Sequence, residues 1–120
     1  MRDAMMELFD EEDNRFVEQM QTLGMSRKAA RVFTFLCQRT SGTSREIEKA
    51  AKLHQPEVSV GIQELLSWLA VEKVESRYTK SRATARYSLS VPWKVVVEHY
   101  YRLSCMQFDR VNAIYAELVK

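Results

Sequence analysis

The chain has 120 residues, 46% of them hydrophobic and 28% charged, with a net charge of +2. That is enough for one domain, short for two, and globular in composition. No apolar run approaches the ~18 residues of a membrane span, and the opening Met-Arg-Asp-Ala-Met-Met-Glu lacks a signal-peptide core, so neither membrane insertion nor secretion is expected.

The net charge hides a division. The first twenty residues hold seven acids against Arg2 and Arg15, whereas from Gln21 onward sixteen Lys/Arg face nine Asp/Glu. A basic body suits a polyanionic partner, although scattered solubility charges fit equally well on charge alone.

In chain order, Phe16, Val17, Met20 and Leu23 fall at helical spacing and predict a first helix from near Asp13 to Leu23, ended by Gly24. Met5, Met6, Leu8 and Phe9 before it read as a further helical turn or an arm. Ser26 caps a second helix to about Arg39, which buries Ala29, Ala30, Phe33 and Leu36 or Cys37. Thr43 with Glu46 forms a capping box that opens a third helix to about Ala51. Pro56 suits the first turn of a fourth helix, predicted to run to Leu69 with Val58, Ile62, Leu65, Leu66 and Leu69 on one face. The period then changes. Val71, Lys73-Val74 and Arg77-Tyr78 read as a strand, and Arg86 to Leu89 as its antiparallel partner. Pro92 opens a last helix from about Trp93 to Leu118, roughly 38 Å long.

A short helix, a tight turn and a second helix with a one-sided apolar stripe make a helix-turn-helix, and the hairpin after it supplies a wing. The predicted fold class is therefore mainly α with a small β-hairpin: a winged helix-turn-helix with a long C-terminal dimerisation helix. One domain is expected, with a helix or arm at 1–23, a winged-helix core at 24–90 and the long helix at 92–119. The hairpin region carries Lys73, Arg77, Lys80, Arg82 and Arg86 against Glu75 alone, a charge pattern suited to phosphate.

Two stretches resemble a known group. Ser44 to Leu69, SREIEKAAKLHQPEVSVGIQELLSWL, and Leu23 to Leu36, LGMSRKAARVFTFL, are similar to the DNA-binding domains of TrmB-like and MarR-like transcriptional regulators of archaea and bacteria. With the hairpin, the resemblance spans about Leu23 to Leu89. It implies a cytoplasmic, nucleoid-associated regulator that binds double-stranded DNA as a homodimer. No sugar-binding domain like that of long TrmB regulators is read in these residues, so no sugar effector is expected. Two departures stand out. Lys52 occupies the turn where many relatives have glycine, so it either adopts a left-handed backbone or the turn differs in shape. The fourth helix, moreover, has no Lys or Arg and carries Glu57 and Glu64.

The outward face of that helix presents Gln55, Pro56, Ser59, Val60 and Gln63, which can pair with base edges or touch a thymine methyl. Phosphate contacts are expected from Arg27, Lys28, Arg45 and Lys49 and from the wing cations Arg77, Lys80, Arg82 and Arg86. The two acids keep an alternative open: a winged helix serving as a protein–protein interaction module in a transcription or chromosome-associated complex.

On the last helix, Val97, Tyr101, Ser104, Phe108, Val111, Tyr115 and Leu118 follow 4-3-4-3 spacing. Such a seam packs on another helix. Its partner is the first helix of the same chain, the same helix of a second chain, or both; a homodimer with interlocked first and last helices is preferred. Cys37 and Cys105 stand in no paired motif and read as free thiols. With His54 and His99 they show no ligand spacing, so no metal and no cofactor are expected. Trp68 and Trp93 are expected between the wing and the core. The Tyr100-Tyr101 pair reads as core or interface packing rather than an effector pocket. No nucleophile elbow, phosphate loop or carboxylate pair points to an enzyme.

Overall fold

The computed structural model describes residues 9–74 and 85–120. Their order is α1 (Glu11–Thr22), α2 (Arg27–Cys37), β1 (Gly42–Thr43), α3 (Ser44–Ala51), α4 (Gln55–Leu66), β2 (Val71–Val74), β3 (Arg86–Leu89) and α5 (Trp93–Leu118).

Local chemistry sets the helix starts. The Asp10 carboxylate accepts from the Asp13 N–H at 2.9 Å, and Asp13 accepts from the Asp10 N–H at 3.0 Å. This box, with Glu11 and Glu12 in the first turn, starts α1 two residues before the predicted position. The Ser26 hydroxyl caps α2 through the Ala29 N–H, and Thr43 with Glu46 boxes the start of α3, both as the sequence predicts.

Three helix ends share one device. The backbone N–H of Met25 bonds to Met20 C=O, that of Leu53 to Glu48 C=O and that of Ala70 to Leu65 C=O. Each is the six-residue closure of a Schellman motif, which needs a left-handed residue just before the donor. Gly24 supplies it with φ 113°, Lys52 with φ 55° and Leu69 with φ 67°. Lys52 therefore takes the left-handed form, the first of the two outcomes expected for this turn. At Leu69 the structure corrects the expectation from apolar spacing. The α4 helix stops at Leu66, and Leu69 leaves the stripe to stand 76% exposed. Its carbonyl accepts the Ser90 hydroxyl, and the buried position falls to Ala70 instead.

The sheet order is β1-β3-β2, antiparallel throughout, with Gly42 opposite Tyr87 and Val71 opposite Leu89. β1 is an addition to the predicted hairpin: Gly42 and Thr43, the second predicted only as a helix cap, pair with β3. The predicted strand residues Arg77 and Tyr78 lie outside the described residues, as do Met5, Met6 and Leu8.

The core centres on α2, whose Ala29, Ala30, Val32, Phe33, Thr34, Phe35 and Leu36 are all buried. Against it pack Met20 of α1, Ile47 of α3, Val58, Ile62 and Leu65 of α4, Val71 of β2 and Val96 of α5. The α4 helix crosses α2 at Gly61, where a Cβ would lie 2.7 Å from the Lys28 carbonyl oxygen. That close approach fixes how far α4 can stand from the body.

The fifth helix has the predicted limits but little cover. Among the described residues it buries only Val96 and Tyr100. The radius of gyration is 16.9 Å and the longest extent 65 Å, whereas a compact chain of this length has a radius near ~14 Å. The excess comes from α5 projecting beyond the body. Among the described residues, Trp68 stacks on His99 of α5 at 3.8 Å, and Trp93 meets the edge of Phe16 of α1 at 6.4 Å. The expected contact of both rings with the wing falls on residues outside the described ones.

Candidate nucleic-acid interface

The α4 helix has two faces with opposite fates. Val58, Gly61, Ile62 and Leu65 are buried against α2 and α3. Gln55, Pro56, Ser59, Val60 and Gln63 are all exposed, as their spacing predicts. The reader candidates thus form one continuous surface along the helix. Leu53 anchors the turn before it, while His54 at the helix start is exposed.

Neither acid of α4 belongs to that surface. The Glu57 carboxylate accepts from the His54 backbone N–H at 2.9 Å. That bond, with the charges of His54, Lys28 and Arg27, holds its carboxyl below the usual range. The Glu64 carboxylate accepts from the Tyr100 hydroxyl at 3.0 Å and from the Ser26 backbone N–H at 3.3 Å. At 100° per residue both acids sit about 120° around the helix from the centre of the reader face. Each acid is therefore engaged by a hydrogen bond, Glu57 at the solvent-facing start of its own helix and Glu64 against α2 and α5.

Cations flank the surface. Arg27, Arg45 and Lys49 are exposed and Lys28 is half-buried. Arg31, which sequence reasoning passed over, donates through Nε to the Ala51 carbonyl at 2.6 Å, and its guanidinium lies 4.9 Å over the Phe9 ring. It closes the end of α3 at the helix-turn-helix turn. Burial, then the neighbouring charge of Arg27, lowers its pKa from the free-guanidinium value. Helical spacing from Arg27 could have flagged it, because i and i+4 share a face.

Of the wing cations, Lys73 is exposed on β2. Arg77, Lys80 and Arg82 lie outside the described residues. Arg86 is on β3 at the base of the hairpin, where its guanidinium meets Glu46 at 3.2 Å and the Ser41 hydroxyl at 2.9 Å. Glu46 is also the residue that boxes the start of α3. Arg86 thus ties the hairpin to α3, and a phosphate would have to compete for it.

The seam candidates of α5 stand open. Tyr101, Phe108, Val111, Tyr115 and Leu118 are all at least half exposed, Leu118 at 79%, while Val97 is half-buried. Ser104, the one polar member, donates its hydroxyl to the Leu23 carbonyl at the end of α1. Tyr100 is buried, and burial pushes its hydroxyl pKa up to about 12. Cys37 is half-buried with its thiol likewise pushed up to about 12, and Cys105 is exposed. Among the described residues no three His, Cys, Asp or Glu side chains gather as a metal site would need, and no helix is long and apolar enough to cross a membrane.

A helix-turn-helix braced on α2, a small sheet carrying a hairpin and a long C-terminal helix together define a winged helix-turn-helix fold of the kind found in MarR-family transcriptional regulators. No family model matches the sequence, and no curated protein matches it. Solved structures do match. A possible transcriptional regulator from Methanosarcina mazei is 13% identical with a TM-score of 0.62, over 84% of this chain and 87% of that one. A MarR-family regulator from Silicibacter pomeroyi is 16% identical with a TM-score of 0.56, over 88% and 76%. MepR of Staphylococcus aureus, solved in complex with DNA, is 15% identical with a TM-score of 0.55, over 90% and 87%. At these identities the likeness is one of fold.

Proposed function

We propose that the chain is a transcriptional regulator that binds double-stranded DNA as a homodimer, with α4 in the major groove and the hairpin beside it. One observation carries the reading. The exposed face of α4 holds Gln55, Ser59, Val60 and Gln63, and both acids of the helix are turned away into hydrogen bonds. Gln pairs with adenine, Ser with either base, and Val meets a thymine methyl. Arg27, Lys28, Arg45 and Lys49, with the hairpin cations Lys80 and Arg82, supply the phosphate contacts that a helix without Lys or Arg cannot. MepR bound to DNA lends the reading support as a relative in fold. The open apolar face of α5 supports the homodimer; the fold is common to this reading and to the protein-interaction module, and duplex binding separates them.

Anisotropy with a random duplex at two salt concentrations tests this. Affinity should fall steeply with salt. Arg45→Ala and Arg82→Ala should each lower the salt slope by about one unit and weaken all sequences alike. Gln63→Ala should cost about 1–3 kcal/mol on a selected operator and almost nothing on random duplex. Salt-insensitive or absent duplex binding overturns the reading and leaves the protein-interaction module in its place.

A further inference from the structure

The recognition helix and the projecting helix are joined by one polar cluster. Tyr100 of α5 donates its hydroxyl to Glu64 Oε2 at 3.0 Å and accepts from Trp68 Nε1 at 3.3 Å. The same Glu64 oxygen accepts the Ser26 N–H at the start of α2, and His99 stacks on Trp68 within 12° of parallel. Tyr100 is one of only two buried residues of α5, and the other, Val96, is held by undirected apolar contact. A hydroxyl bonded to a half-buried carboxylate is directional and charge-assisted, so it fixes an angle where packing alone allows sliding; the Ser104 bond to the Leu23 carbonyl ties α5 to the end of α1 and leaves its angle to α4 to Tyr100.

From this geometry we infer that Tyr100 and Glu64 are positioning residues that set the angle between α4 and α5, and thereby the half-site spacing a dimer accepts on DNA. The inference rests on the DNA-binding homodimer proposed above. Its leverage is large. The eighteen residues of α5 beyond Tyr100 span about 27 Å, so a swing of about 10° moves the far end by about 5 Å. One base pair of spacing moves a half-site by about 3.4 Å and turns it by about 35°. A swing of that size exceeds the translation of one base-pair step and covers under a third of its turn, so loss of the Tyr100–Glu64 bond loosens the choice between neighbouring spacings. The individual α4–DNA contacts stay intact, because the reader residues lie on another side of the helix.

Two measurements on the full chain test this. In a Cys37→Ala, Cys105→Ser background, spin labels at Ser59→Cys on α4 and Asn112→Cys on α5 report the intramolecular distance, with the labelled chain diluted into unlabelled chain. Tyr100→Phe and Glu64→Leu should about double the width of that distance distribution, whereas Glu64→Gln, whose amide oxygen still accepts, should keep it narrow. The second measurement selects duplexes with varied spacers between two half-sites. A wild-type preference of about tenfold for the best spacing over its neighbours should fall to about twofold in Tyr100→Phe, with random-duplex affinity unchanged. A purely stabilising role would lower the melting temperature and leave both readouts unmoved. A narrow distribution in Tyr100→Phe overturns the inference, and so does a broad one with intact spacing preference. Absence of duplex binding by the wild-type chain overturns the DNA reading and the spacing role together, while the distance widths still report separately on the tie.

Discussion

Helices α2 and α5 are both rich in apolar residues, yet they lie at opposite extremes of burial. Seven of the eleven residues of α2 are buried, against two of the twenty-six in α5. The difference is one of position, not of composition. The second helix is surrounded by α1, α3, α4 and the sheet, whereas no element among the described residues covers the second half of α5. Burial, not apolar content, converts a side chain into stability. The surroundings of α2 should therefore set the stability of the body, and the far half of α5 should set assembly.

The sharpest way to break this contrast is to remove equal side chains on the two sides. Leu65 of α4 is fully buried against the core, and Leu118 of α5 is 79% exposed. Leu65→Ala should destabilise by about 2–5 kcal/mol, a large part of the 5–15 kcal/mol of an ordinary domain. Leu118→Ala should change the stability of an isolated chain by less than about 0.5 kcal/mol. Urea unfolding at low protein concentration measures both, and equal losses would abolish the distinction.

The next test concerns assembly. Phe108 is 65% exposed, and an exposed ring of that size in a stripe with Val111, Tyr115 and Leu118 is a candidate anchor for a second copy. Phe108→Glu should weaken self-association by about 2–4 kcal/mol and leave the body's folding intact. Sedimentation equilibrium reads the first and circular dichroism the second. A wild-type chain that sediments as a well-behaved monomer at micromolar concentration would refute the homodimer.

How much of this could be read from the sequence follows the range of each interaction. The caps at Ser26 and at Thr43 with Glu46 were legible, as were the limits of α5 after Pro92, because each is decided within about four residues. The exposed face of α4 followed from period alone. Leu69 did not, since an apolar residue at the right spacing is indistinguishable from a stripe member until the chain turns toward Ser90. The pairing of β1 was hidden because two residues carry no period. Glu64 with Tyr100, Glu46 with Arg86 and Arg31 with Ala51 are separated by 36, 40 and 20 positions, so local patterns carry no sign of these pairings. The exposed face of α4 was therefore visible in outline, and the hydrogen bonds that engage its two acids were not.

The smallest expected effect concerns Lys52. Gly24, Lys52 and Leu69 end three helices with the same closing bond, and only the first is glycine. A left-handed non-glycine residue costs roughly 1–2 kcal/mol. Glycine returns about 0.5–1 kcal/mol of that to the unfolded chain as entropy. Lys52→Gly should therefore stabilise the body by about 0.5–1 kcal/mol, which raises the melting temperature by about 2–5 °C at this size. Lys52→Ala is the control: it removes the charge and keeps the strained backbone, so it should leave stability nearly unchanged. Gly24→Ala should go the other way, because φ 113° lies where side chains are rarely tolerated. Arg31 already holds the Ala51 carbonyl beside Lys52, so the turn is braced from outside and keeps its shape in all the variants. A stabilisation of equal size in Lys52→Ala would assign the effect to charge rather than to backbone strain. No change in Lys52→Gly would mean that the Arg31 brace, rather than the turn residue, determines what this helix end costs.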